Sequence, residues 1–211
     1  MPSSFTQQAL SNLRNGSEFE WVIIPLLALV FYVYATEMEK KNYALILAGL
    51  AFWGMDWFNE IINSVIFQVT GWAPLWCAPG ETTYLILLGL NIEIMFMFAI
   101  AGIVWTKMLL PNKEDKILGV PNRWFVAIAG SLFSVIVELY LNSVDALTWD
   151  WAFWDMNTPW LIFLFGYLTF FIAAFWVYDM TSMRKRIIAV SCIWGFDLLL
   201  VLIFGLGLGW L

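Results

Sequence analysis

Apolar runs long enough to cross a bilayer recur along this chain, and carboxylic acids interrupt them. Hydrocarbon about 30 Å thick requires roughly 20 mostly apolar helical residues. Such runs cover residues 20–37, 43–68, 82–107, 122–146, 158–180 and 187–210. The breaks read TEMEKKN, TGWAPLWCAPGE, KMLLPNKEDKILGVPNR, TWDWAFWDMN and MTSMRKR, and Pro and Gly mark the second and third as turn residues do. The expected fold is all-α: a single polytopic membrane domain over residues 1–211 with six transmembrane helices, after a polar lead-in at 1–19. The chain is 62% hydrophobic and 12% charged, whereas a soluble domain carries about one quarter charged residues.

Several chemistries fall away at once. The chain has no histidine, which removes His-held haem, His-ligated zinc or copper, histidine-coordinated diiron and every His-based triad. Cys77 and Cys192 fall in a connection and in a late helix, so neither a disulfide framework nor a metal knuckle is indicated. No metal and no cofactor is expected. No basic stripe is present, which argues against nucleic acid. The expected partners are the lipid bilayer and a hydrophobic small molecule, and no residue pattern specifies a protein partner. The lead-in has no cleavable-signal pattern and is expected to be an ordered or amphipathic approach to the first span.

Basic residues orient the helices. Lys40, Lys41, Lys107, Lys113, Lys116, Arg123, Arg184, Lys185 and Arg186 all flank or lie in the first, third and fifth connections, leaving Arg14 on the other side. By the positive-inside rule those connections are cytoplasmic. Both termini and the Trp-rich second and fourth connections are then expected on the non-cytoplasmic side.

A repeat locates a candidate site. Asn63-Ser64-Val65 matches Asn142-Ser143-Val144, and Trp72-Ala73 matches Trp151-Ala152, both at an offset of 79. Glu60 and Glu138 are offset by 78, and TTYLILLGL (82–90) resembles TPWLIFLFGYL (158–168). Segments 43–108 and 122–180 are thus expected to be diverged copies of a two-helix unit, related about an axis along the membrane normal. Asp56, Glu60 and Asn63 share one helical face; Ser134, Glu138, Asn142 and Asp145 share another. Asn91, Glu93 and Asp197 fall at comparable depth. Such groups are expected to face the bundle interior, since each costs about 2.5–3.5 kcal/mol at a lipid-facing centre.

No Lys, Arg or His lies at the depth of Asp56, Glu60, Glu93, Glu138 and Asp197. Three arrangements remain. The acids are protonated and act as general acids; or they hold a hard cation with the amide oxygens of Asn63 and Asn142; or they pair with a cation that a substrate becomes. Trp57, Trp76 and Trp154, among many tryptophans, would stabilise such a centre through their ring faces. The plainer reading of the tryptophans is an interfacial belt. Glu93 also reads as a packing acid bonded to Asn63 or Asn142. Glu37 and Asp179 read as helix-end partners of nearby Lys and Arg.

The stretch TEMEKKNYALILAGLAFWGMDWFNEIINSVIF (36–67) resembles the start of the small integral-membrane terpene cyclases of fungal meroterpenoid and indole-diterpene pathways. That resemblance implies a helical bundle that protonates a prenyl epoxide or alkene and guides cyclisation of the carbocation. It implies acids at Glu60 on the second helix and Asp197 near the last. Phe58 and Asn59 separate Trp57 from Glu60, where that family tends to have adjacent Trp and Glu, and seven spans are usual there. Three readings follow. The first is a membrane enzyme with Glu60 as general acid and Glu138 or Asp197 as second acid or base. In it Asp56, Asn63, Asn142, Glu93, Trp57, Trp76 and Trp154 line the substrate. The others are a proton- or cation-coupled transporter or channel component, and a non-catalytic subunit of a larger membrane complex.

Overall fold

A computed structural model describes every residue except Glu18 and Glu81. The helices are α1 (Ser4–Asn12), α2 (Ile23–Glu39), α3 (Tyr43–Thr70), α4 (Ile92–Lys107), α5 (Asn122–Ser143), α6 (Pro159–Asp179) and α7 (Met183–Gly207). Four of them, α3, α5, α6 and α7, are long and apolar enough to cross a membrane; α2 and α4 are shorter, with 17 and 16 residues. Large apolar side chains face outward on every one of these helices, among them Phe31, Met97, Ile136, Trp176 and Leu206. That is the surface a protein presents to lipid rather than to water.

The third apolar run does not fold as one helix. Residues 82–91 leave the helix, and strands β1 (Leu85–Leu87) and β2 (Leu90–Asn91) pair as an antiparallel hairpin before α4 begins at Ile92. Two local causes act together. Asn91 caps α4, its Oδ1 accepting from the Ile94 N–H at 2.8 Å. Gly89 lies against the Trp76 indole and Glu60, where an added Cβ would stand 2.7 Å from Glu60 Oε2. The matching segment of the sequence repeat is helical instead, because Pro159 starts a helix there. A second ribbon, β3 (Lys116–Ile117) with β4 (Val120–Pro121), lies in the connection before α5. Arg184, Lys185 and Arg186 fall within the start of α7 rather than in a connection.

α3 is the central helix and packs against α2, α4, α6 and α7. Its approach to α4 is set by glycine: a Cβ on Gly102 would stand 3.0 Å from the Gly49 Cα and carbonyl oxygen. Small residues at a helix crossing let backbones come close, and van der Waals contact then replaces the hydrophobic drive that lipid does not supply. Phe52 of α3 meets Phe170 and Phe171 of α6 edge to face, with centroids 5.5 and 5.0 Å apart.

The two ends of the bundle differ in chemistry. At one end Lys107 and Lys40 pair with buried Glu37, and Arg123 pairs with Asp179 at 2.7 Å, as the sequence leads one to expect. The other end is roofed by the two Trp-rich connections. They join through reciprocal backbone hydrogen bonds between Cys77 and Thr148, at 2.9 and 2.7 Å. α1 closes over this roof: the Ser3 N–H donates to the Trp72 carbonyl and the Ser3 hydroxyl to Asp150.

Candidate functional site

Beneath the roof lies a cavity of about 450 Å³ walled by α3, α4, α5 and α6. Most of its lining is aromatic or aliphatic, including Phe52, Phe98, Trp105, Phe133 and Phe170. Into it face Asp56 and Glu60 from α3, Glu93 from α4, Glu138 and Ser134 from α5, and Tyr167 from α6. Among the described residues no Lys or Arg lines it.

The periodicity of α3 places Asp56 and Glu60 one turn apart on the cavity face, 3% and 4% exposed. Glu60 Oε1 accepts from the Trp76 indole N–H at 2.8 Å, and Oε2 has no partner among the described residues. Glu138 is built the same way from the second half of the chain. Its Oε1 accepts from the Trp149 indole N–H at 3.0 Å, and Tyr167 stands beside it. Glu60 and Glu138 lie near enough for their charges to interact. Asp56 Oδ2 is also buried without a partner among the described residues. Buried carboxyl oxygens left unpaired are rare in proteins and call for a specific reason.

Tyr167 reaches the cavity because α6 is π-helical over Ile162–Tyr167. Such a stretch shifts the side chains that follow it and disturbs the backbone ladder, a distortion often found at functional sites. Asn59 of α3 answers part of that disturbance by donating to the carbonyls of Phe165 and Gly166, at 3.2 and 3.3 Å. Neither Tyr167 nor Asn59 was singled out by sequence pattern. A phenol and an amide inside apolar runs were the available signal.

Of the ten residues given a catalytic or substrate-lining part from sequence, Asp56, Glu60, Glu93, Glu138, Trp76 and Trp154 line the cavity together, and Asn91 and Ser134 join them. Trp76 and Trp154 stand side by side, centroids 5.8 Å apart. The remaining four lie elsewhere. Asn63 is fully buried but engages the roof, its Oδ1 accepting from the N–H groups of Leu75 and Trp76 and its Nδ2 donating to the Trp76 carbonyl. Asn142 likewise donates to the Leu147 carbonyl. Trp57 packs beside Ile61 with Leu200, Val201 and Phe204 of α7. Asp197, 4% exposed, lies outside the lining, close enough to Asp56 for their charges to interact, and neither of its oxygens has a partner among the described residues. Glu93 bonds to the Thr82 hydroxyl at 2.7 Å and the Thr83 N–H at 2.8 Å, not to Asn63 or Asn142.

These contacts narrow the chemistry. The hard-cation arrangement needed the amide oxygen of Asn63, which is already taken by two backbone donors. Among the described residues no group of three or more Cys, Asp or Glu side chains is arranged to hold a metal ion. Cys77 is buried in the roof, and burial pushes its thiol up to about 12, so it is no nucleophile near neutral pH.

Residues 3–206 match the model of an "Uncharacterized membrane protein family", and the chain belongs to that family. An "Uncharacterized protein" of Archaeoglobus fulgidus is 47% identical over 211 residues, the whole of both chains. A second "Uncharacterized protein" of the same organism is 54% identical over 56 residues, covering 26% of this chain and all of its own length. No solved structure matches the chain. With its several long apolar helices, this family member is a multi-pass membrane protein.

Proposed function

We propose that this family member is an integral membrane enzyme that acts on a hydrophobic, terpene-like substrate by carboxylic-acid general acid catalysis. One observation carries the reading: two buried glutamates, one from each half of the chain, face a single aromatic-lined cavity that has no basic side chain. Carboxyl groups kept from water and from bases are suited to deliver a proton. The likeness of residues 36–67 to the small membrane terpene cyclases points the same way.

In this mechanism the Glu60 O–H bond breaks as a C–H or O–H bond forms on an alkene or epoxide of the substrate. The carboxylate left behind keeps the Trp76 N–H. Positive charge on the substrate is met by the ring faces of Trp76, Trp154 and Phe170, with Asp56 near. Loss of a proton from the substrate to the Glu138 carboxylate ends the sequence, with Tyr167 beside that carboxyl holding it in place. The proton then passes from Glu138 to the nearby Glu60 carboxylate, restoring both groups for the next turnover. The net reaction is an isomerisation and needs no cofactor. Asp197 reaches the site through Asp56 and is assigned a secondary, proton-holding part.

The same reading takes α2 and α4 as spans too, giving six crossings in all. The Lys- and Arg-rich end then lies in the cytoplasm with both termini opposite, as the positive-inside rule directs. Segments 43–108 and 122–180 are read as one repeated two-helix unit, supported by Glu60 of α3 and Glu138 of α5 facing one cavity.

The test is mass spectrometry of protein purified in mild detergent, followed by turnover assays on whatever ligand is found. A prenylated or sterol-like molecule near one per chain, converted by wild type but not by Glu60→Gln, is the expected result. Bulk phospholipid alone, together with proton flux in vesicles that depends on Glu60 and Glu138, would replace this reading with the transporter.

A further inference from the structure

The cavity wall between α4 and α5 is thinly packed among the described residues. α4 packs against α2, α3 and α6, and α5 packs against α6, but α4 and α5 share no packed seam along their length. They meet at the Trp105–Phe133 ring pair, with centroids 5.8 Å apart. Met97 on α4 and Phe133 on α5 both line the cavity and are 55% and 56% exposed, beside the outward-facing Leu132 and Ile136 of α5. Side chains that face the inside and the outside at once mark a gap.

The gap faces lipid. Its flanks on α5 are Leu132, Ile136 and Tyr140, all exposed. At 1.5 Å per residue, Met97 and Val137 stand roughly 8–9 Å from the roofed ends of their helices, and the Trp105–Phe133 pair roughly 15–20 Å. The opening therefore spans the half of the bundle nearest the roof, with the ring pair as its sill.

We infer that the ligand reaches the cavity sideways from the bilayer, through a window between α4 and α5. We further infer that it is an uncharged chain lipid, whose polar end reaches Glu60 and Glu138 while its tail lies across Met97, Ala101 and Val137. The window's lining is apolar, so such a molecule enters without leaving hydrocarbon. Asp56, Glu60 and Glu138 offer an anionic head group carboxyls and no cation, which selects against phosphorylated lipids. This inference rests on the cavity being the site of the proposed function, but it concerns access and head-group charge rather than proton transfer.

The full chain is reconstituted in phosphatidylcholine vesicles with hexadecanol bearing a mid-chain diazirine, irradiated, and mapped by peptide mass spectrometry. A matched probe ends in a phosphate monoester instead of the hydroxyl. Adducts from the alcohol are expected to concentrate on the α4 and α5 peptides that bound the window. Val137→Trp and Met97→Trp, on different helices, are each expected to abolish that enrichment, and the phosphate probe to show none. Adducts spread evenly over lipid-facing positions such as Phe31 and Trp176 in the wild type would overturn the window without reliance on either variant. Equal enrichment by the phosphate probe would overturn the uncharged ligand. A Glu60→Gln variant that keeps turnover removes the catalytic reading alone, and an even wild-type map removes the window alone.

Discussion

The Trp76 indole N–H donates to Glu60 Oε1 at 2.8 Å, tying the roof of the cavity to the acid in its wall. Trp149 repeats the relationship with Glu138 at 3.0 Å. Each carboxyl thus takes its orientation from the connection that follows its own helix. Because Cys77 and Thr148 join those two connections, the two acids are held to one rigid roof.

Trp76→Phe keeps the ring and removes the donor. Glu60 then loses the donor to Oε1 while Oε2 remains unpaired. A buried polar group left without its partner costs about 1–3 kcal/mol, so the unfolding free energy in detergent is expected to fall by about that much and the unfolding temperature to drop with it. Glu60→Gln keeps an acceptor for the indole and is expected to unfold near the wild-type temperature while turnover is lost. Equal destabilisation by the two variants would show that the indole does not hold the carboxyl.

Much of this site was legible because helical periodicity alone brings Asp56 and Glu60 to one face. Trp57 lies one residue away, roughly 100° around the helix, and so packs toward α7 instead of the cavity. Asn63 shares the acids' face but sits a turn higher, where the roof consumes its hydrogen bonds. Tyr167 was not legible: its direction depends on a π-helical turn that no sequence period announces. The hairpin at 85–91 was hidden for a related reason. LILLGL reads as helix by hydropathy, while the Asn91 cap of α4 and the close approach of Gly89 to Trp76 and Glu60 act against it.

The α3–α4 crossing depends on the absence of a side chain at Gly102. A Cβ there would stand 2.6 Å from the Phe52 Cβ and 3.0 Å from the Gly49 backbone, which cannot rotate away. Gly102→Ala is expected to cost about 1–3 kcal/mol by overpacking. Gly195→Ala on α7 meets nothing within 4 Å and is expected to be neutral or stabilising by up to about 1 kcal/mol. Unfolding midpoints of the two variants in the same detergent compare them directly.

Glu37 is 1% exposed at the basic end and pairs with Lys107 and Lys40, while Asn42 donates to its Oε2 at 2.7 Å. Lys107 connects α4 to the end of α2, whereas Lys40 only bridges within its own turn at 3.5 Å. Lys107→Met is therefore expected to destabilise by about 1–3 kcal/mol and Lys40→Met by less than about 1 kcal/mol. A double-mutant cycle with Glu37→Gln separates the two pairs. A larger coupling for Lys40 than for Lys107 would contradict this assignment.

Cysteine chemistry reports on whether the roof stays shut. Cys192 is exposed and Cys77 is buried. Maleimides react with thiolate, and burial moves the Cys77 thiol from its ordinary 9 to about 12. In a Cys192→Ser background, N-ethylmaleimide labelling of the folded protein is expected to stay negligible from about pH 7 to about pH 9, where an ordinary thiol reacts faster with each step in pH. Because the folded value is raised, this group's contribution to stability is complete below about 9 and is lost between about 9 and about 12. Denaturation at neutral pH is expected to make the site react at once. Fast labelling of folded protein would mean that the Cys77–Thr148 junction opens. Glu60 and Glu138 would then lose their common roof, and water would reach the acids that the proposed chemistry needs dry.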